Sequence, residues 1–237
     1  MIRLLISILL IGATLGALWV FGPRIIKTGT LIALTSPYER ALPNAPQLLV
    51  LGDSTGYGTG VMDNNDSIAG RVAEEYPDYE IVNQSQNGRT IAELESVARE
   101  VEGEYALILL QIGGNDILQG RDAEVVEEEL RRIIISLTDN TDDLVMMSTG
   151  NVGGASAFTG ERAQELEERS RVFRDMFEAV ASDTPLTYVD LFVEPENDPF
   201  VAEPSVYLSW DGLHPSAAGY GEWYDSLQPV LAERLGE

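Results

Sequence analysis

Short apolar runs along the chain alternate with stretches in which apolar residues recur every three or four positions. "QLLVL" (47–51) reads as a buried strand, and "DSIAGRVAEEY" (66–76) as a helix capped by Asp66 or Ser67. "YEIVN" (79–83) is a second strand. "TIAELESVARE" (90–100) opens with Thr90 and Glu93 at capping-box spacing, where each side chain satisfies a free backbone N–H of the other. "YALILLQI" (105–112) is the most continuous apolar strand, of the kind found in the middle of parallel sheets. Residues 122–138 place Val126, Leu130, Ile133, Ile134 and Leu137 on one helical face, and "DLVMMST" (143–149) is the fourth strand. A long helix follows, with Leu166, Ser170, Phe173, Phe177 and Val180 at steps of three and four. "LTYVDLF" (186–192) is the fifth strand, and a last helix runs from about Ser216 to Leu235. This alternation predicts an α/β fold: a three-layer α/β/α sandwich on a five-stranded parallel sheet.

The first 46 residues fall outside that pattern. Leu4 to Phe21 is an uncharged run of 18 residues flanked by Arg3 and by Arg24 and Lys27, close to the roughly 20 apolar residues that span a bilayer. Residues 1–24 are therefore expected to be a membrane anchor, with a cleaved signal segment as the alternative. The first reading places a single-pass anchor in the cell membrane with the remaining chain outside the cytoplasm. The second makes the protein secreted or periplasmic. Residues 25–46, broken by Pro37, Pro43 and Pro46, are expected as a linker, and 47–237 as the folded domain.

Charge narrows the partners. The formal net charge is −24, and the first 40 residues hold three net positive charges, so the rest carries −27. Such a surface repels phosphate backbones, and nucleic acid is not expected as a partner. The chain has no cysteine and one histidine, a poor ligand set for zinc, so no metal is expected. "GYGTGV" (56–61) lacks the third glycine of a dinucleotide fingerprint, and no cofactor is expected. The run "EVVEEEL" (124–130) reads as a solvated helix face.

In a parallel sheet, ligands sit beyond the carboxyl ends of the strands. There the chain offers Gly52-Asp53-Ser54, "NQSQNGRT" (83–90), Gly113-Gly114-Asn115-Asp116, "GNVGG" (150–154) and "WDGLHPS" (210–216). A serine hydroxyl needs a base to become a nucleophile, and His214 is the only imidazole available. Asp211, three residues earlier, is placed to hold the ring and stabilise the imidazolium. The amide of Asn115, with the backbone N–H groups of Ser54 and Gly88, supplies three donors for a developing oxyanion. Ser54, Asp211 and His214 are thus the candidate catalytic residues. Tyr57, Trp210 and Tyr220 are weighed as acyl-pocket residues, with core packing the commoner role for such side chains. Nothing in the sequence fixes the substrate-binding residues or the oligomeric state.

Taken together, Ser54 in Gly-Asp-Ser, Gly88, Asn115 in Gly-Gly-Asn-Asp, and Asp211 with His214 resemble the four ordered blocks of the SGNH hydrolases, or GDSL esterases and lipases. The match spans residues 48–220, and "LILLQIGGNDILQG" is most similar to the bacterial thioesterase and lysophospholipase branch. The resemblance implies a flavodoxin-like three-layer fold and metal-free Ser-His-Asp hydrolysis of a small-molecule carboxylic ester or thioester. The alternatives are acyl transfer to envelope glycans, or a non-catalytic envelope binding protein. Two positions depart from the pattern: Thr55 replaces the usual aliphatic residue after Gly-Asp-Ser, and Asn87 stands where that branch commonly has serine before Gly88.

Overall fold

All five expected strands form, and they pair as one parallel sheet in the order β2-β1-β3-β4-β5. The computed structural model describes residues 26–236. The strands are β1 (Gln47–Gly52), β2 (Glu80–Asn83), β3 (Leu107–Gln111), β4 (Leu144–Met147) and β5 (Leu186–Val189). The helices are α1 (26–34), α2 (Ser54–Tyr57), α3 (Ile68–Glu75), α4 (Ile91–Ala98), α5 (Gly114–Leu118), α6 (Ala123–Leu137), α7 (Glu161–Ser182), α8 (Pro199–Ala202), α9 (Pro204–Tyr207) and α10 (Ala217–Leu235).

The period of two along each strand splits the core into two layers. Leu49, Leu51, Ile108, Leu110 and Met146 pack with Leu94 of α4, Leu130 and Ile133 of α6, and Phe173 and Phe177 of α7. Leu48, Val50, Leu109, Val145 and Met147 face the other way, onto Ile68 and Val72 of α3 and Tyr220, Leu227 and Leu231 of α10. Helix starts follow the sequence signals. Ser67 caps α3, Thr90 and Glu93 form the capping box of α4, Asp122 caps α6 and Ser216 caps α10.

The strand order sets the site. From β1 the chain crosses to one side to make β2, then returns across β1 to make β3, so the sheet's winding reverses between β1 and β3. At such a point the two following loops diverge and leave a crevice. Ser54 follows β1 and Asn115 follows β3.

The anchor or signal segment expected over 1–24 lies outside the described residues, among which no helix is long and apolar enough to cross a membrane. The stretch expected as a linker differs from that expectation. Residues 26–34 are helical, and Arg40 forms an antiparallel bridge with Ile81. The Arg40 guanidinium donates to the carbonyls of Ala73, Tyr76 and Tyr79 at 2.6–3.1 Å. The sequence pattern missed this because α1 buries Leu31 alone among its apolar side chains while Ile26, Ile32 and Leu34 stay exposed, which leaves no periodic stripe to read.

Candidate active site

β1 ends where Gly52 passes β3 so closely that a Cβ there would overlap the Gln111 carbonyl. Asp53 then turns the chain: its Oδ1 caps α2 by accepting from Thr55 N (2.8 Å) and from Thr55 Oγ1 (2.9 Å). This gives Thr55, the departure noted after Gly-Asp-Ser, a role that an aliphatic side chain could not fill. Asp53 is 1% exposed. Burial pushes its carboxyl up to about 6, although the two Thr55 bonds and the charge of His214 pull it down. Ser54, held by this turn, is the first residue of α2.

The sheet brings Ser54 and His214 together across 160 residues of sequence, with Ser54 Oγ 2.9 Å from His214 Nε2. His214 Nδ1 lies 2.7 Å from Asp211 Oδ2. A carboxylate there fixes the proton on Nδ1, which leaves Nε2 as the acceptor for the Ser54 hydroxyl. Asp211 Oδ1 accepts from the backbone N–H groups of Leu213 (3.0 Å) and His214 (3.1 Å). Burial raises the Asp211 carboxyl, but the bond and charge of His214, together with these N–H groups, outweigh it and hold it at about 2. The glycine-rich tail after Ser54 also serves this corner. Gly60, at φ 125°, passes so near the Pro215 carbonyl and the His214 Cβ that any side chain would displace them.

Asn115 Nδ2 donates to the Arg89 carbonyl at 3.1 Å and lies 3.5 Å from Asp53 Oδ2. The first bond orients the amide. The second is too long to hold its N–H firmly, leaving that proton available to a ligand. Gly88 sits in a left-handed turn (φ 82°) and lines the same cavity as Ser54, Asn115 and His214. Asn87, the second departure, accepts from Thr59 Oγ1 at 2.6 Å and so ties the Gly88 loop to the loop after α2. Asp116, beside Asn115, has no exposed side-chain surface and is structural: it accepts from Ile91 N at the start of α4 and pairs with Arg121 at 2.7 Å, which in turn holds Glu129.

The cavity measures about 270 Å³. Tyr57, Trp210 and Tyr220 do not line it. Tyr220 is fully buried and donates to the Thr59 carbonyl at 2.8 Å, and Trp210 points largely to solvent. The aromatic lining is Phe200 and Trp223 instead, beside Leu191, Leu208 and Leu213. Trp223 lies one turn after Tyr220 on α10, and its ring meets those of Tyr220 and Phe200, so a helical reading of α10 held the signal. Thr28 and Ile32 of α1 also line the cavity, and no motif or apolar period marks them. Among the described residues no lysine or arginine lines it, whereas Asp190, Asp198 and Glu222 do.

A model of the GDSL-like lipase/acylhydrolase family matches residues 50–221, well over half of the chain. No curated protein matches it. Among solved structures, the chain is similar to TesA (24% identity, 79% of this chain and 99% of that one, TM-score 0.60). It is also similar to a member of the lipolytic G-D-S-L family from Veillonella parvula DSM 2008 (19%, 79% and 99%, TM-score 0.64). A third is AlinE4, an SGNH-hydrolase family esterase (20%, 83% and 100%, TM-score 0.55). At these identities the likenesses speak for the fold, whereas the family match reaches from within β1 past His214 into α10. The chain belongs to the GDSL-like lipase/acylhydrolase family and is a carboxylic ester hydrolase of that type.

Proposed function

We propose that the protein hydrolyses esters or thioesters through an acyl-enzyme on Ser54. The observation that carries this is the unbroken line of short contacts from Ser54 Oγ through His214 to Asp211. His214 Nε2 takes the Ser54 proton as Oγ adds to the substrate carbonyl, while Asp211 stabilises the imidazolium. The Ser54 and Gly88 N–H groups and the Asn115 amide receive the oxyanion. His214 then protonates the departing alkoxide or thiolate. Water adds to the acyl carbonyl with His214 as base, and collapse returns the proton to Ser54. The test is hydrolysis of a short-chain chromogenic ester by the full-length protein: Ser54→Ala and His214→Ala should leave only background turnover. Wild-type rates in Ser54→Ala would reject the mechanism.

The lining bears on substrate. An apolar wall with carboxylates and, among the described residues, no lysine or arginine suits an uncharged or cationic ester and disfavours an anionic acyl group. Succinyl-type esters should be turned over more slowly than butyryl esters of the same alcohol, and equal rates would remove this preference. The same Ser54–His214–Asp211 geometry would serve acyl transfer if a hydroxylated acceptor took the place of water. An added polyol would then appear as its ester among the products. For location, the uncharged run Leu4–Phe21 supports membrane attachment. Retention in washed membranes is the expected result, and recovery in the soluble fraction would oppose it.

A further inference from the structure

We propose that Thr28 is a positioning residue of the Ser54–His214–Asp211 array, so that helix α1 is a working wall of the active site. The proposal rests on the mechanism above. Thr28 Oγ1 donates to Asp211 Oδ2 at 3.1 Å, across 183 residues of sequence. That is the same oxygen that faces His214 Nδ1. The other Asp211 contacts come from its own loop, residues 211–214. Those bonds fix the carboxylate relative to the loop, and the Thr28 bond ties it to a separate element.

Thr30 and Thr35 turn their hydroxyls back to the carbonyls four residues earlier, Ile26 and Leu31, at 2.7 and 2.8 Å. Thr28 sends its own to Asp211. One turn later, on the same face, Ile32 reaches the same cavity, while Leu31 is fully buried and seats the helix. A donor on Oδ2 resists rotation of the carboxylate away from the imidazole and shares its charge. Both effects act on how well His214 accepts and releases the Ser54 proton. The other charged or titratable groups acting on this array are Asp53, which bears on His214, and Tyr220, on which Asp53 and Asp211 both bear. Threonine is uncharged, so its replacement leaves those fields in place.

The experiment uses the full-length protein with Thr28→Val, which keeps shape and removes the donor, and Thr28→Ser, which keeps the donor. Thr28→Val should lower kcat about 10-fold with KM changed less than about 2-fold. It should also shift the His214 Nδ1–H proton resonance, which is unambiguous because the chain has one histidine. Thr28→Ser should restore both readouts. A Thr28→Val protein with wild-type kcat and an unmoved resonance overturns the proposal, as does a loss that serine fails to rescue. Ser54→Ala, run alongside, separates the two claims. If it is inactive while Thr28→Val is unaffected, the mechanism stands and only the role of Thr28 falls. If it turns over normally, both fall.

Discussion

Single atoms decide most of what happens at the rim of this sheet. The role proposed for Ser54 depends on the 2.9 Å contact of its hydroxyl with His214 Nε2. The Asn115 amide is held by the Arg89 carbonyl, and its other contact, to Asp53, is long at 3.5 Å. Asn115→Ala should reduce kcat by about 100- to 1,000-fold with little change in the thermal midpoint, measured by steady-state kinetics beside melting curves. A loss below about 3-fold would remove Asn115 from the oxyanion site. Asp53 makes a prediction about stability. Its folded-state pKa of about 6 lies above the ordinary 3.8, so the folded protein holds this proton more tightly than the unfolded chain. Its contribution is therefore fully present below about pH 4 and is lost as the pH rises through 6, a change of about 3 kcal/mol. Denaturant unfolding at several pH values should show a shallower fall across this window in Asp53→Asn than in the wild type. Parallel curves would mean that Asp53 is not a buried carboxyl of raised pKa. Asp211 works in the opposite sense: at about 2 it stabilises the fold at neutral pH, and that contribution is lost only as the pH falls through its folded value.

At the scale of elements, the loops at the strand ends hold one another in place. The Gly60 backbone runs under Pro215, so Gly60→Ala should displace His214 and lower both kcat and stability, read by the same assays. Arg121 joins Asp116 and Glu129, and so the Asn115 loop to α6. Arg121→Met would strand the fully buried Asp116 carboxylate and should cost about 3–5 kcal/mol in denaturant unfolding. These contacts also explain what could be read in advance. The sheet was legible because β1, β3 and β4 are buried on both faces and appear as unbroken apolar runs. Helices α3 and α4 were legible through capping residues that act through local backbone geometry, and α6 and α7 through apolar residues recurring every three or four positions. The closeness of Ser54, Asp211 and His214 was legible because a lone histidine leaves no competing base. What escaped is what tertiary packing alone decides. Helix α1 seats itself through Leu31 and a hydroxyl contact to a residue 183 positions away. Phe200 and Trp223 took the place of Tyr57, Trp210 and Tyr220 because neighbouring positions on a helix differ only in which face the core claims.

Over the whole molecule, two features stand apart from the site. One is charge: 39 acidic side chains face 15 basic ones, so the folded surface repels itself. Raising the salt from about 0.05 to 0.5 M shortens the range of that repulsion several-fold and should raise the thermal midpoint. A falling midpoint would mean that the arginine–carboxylate pairs outweigh the excess acid. The other is that residues 26–40 belong to the domain through Leu31 and Arg40, so a chain starting at Gln47 should unfold at lower denaturant than the full-length protein. Both matter less than whether Ser54 carries the acyl group. The direct measurement is the mass of the full-length protein, acid-quenched during turnover of an ester whose acyl-enzyme hydrolyses slowly. The wild type should gain the mass of one acyl group on the peptide containing Ser54, and Ser54→Ala should gain none. Turnover without any adduct on that peptide, or with the adduct on another residue, would contradict the assignment of Ser54 as nucleophile.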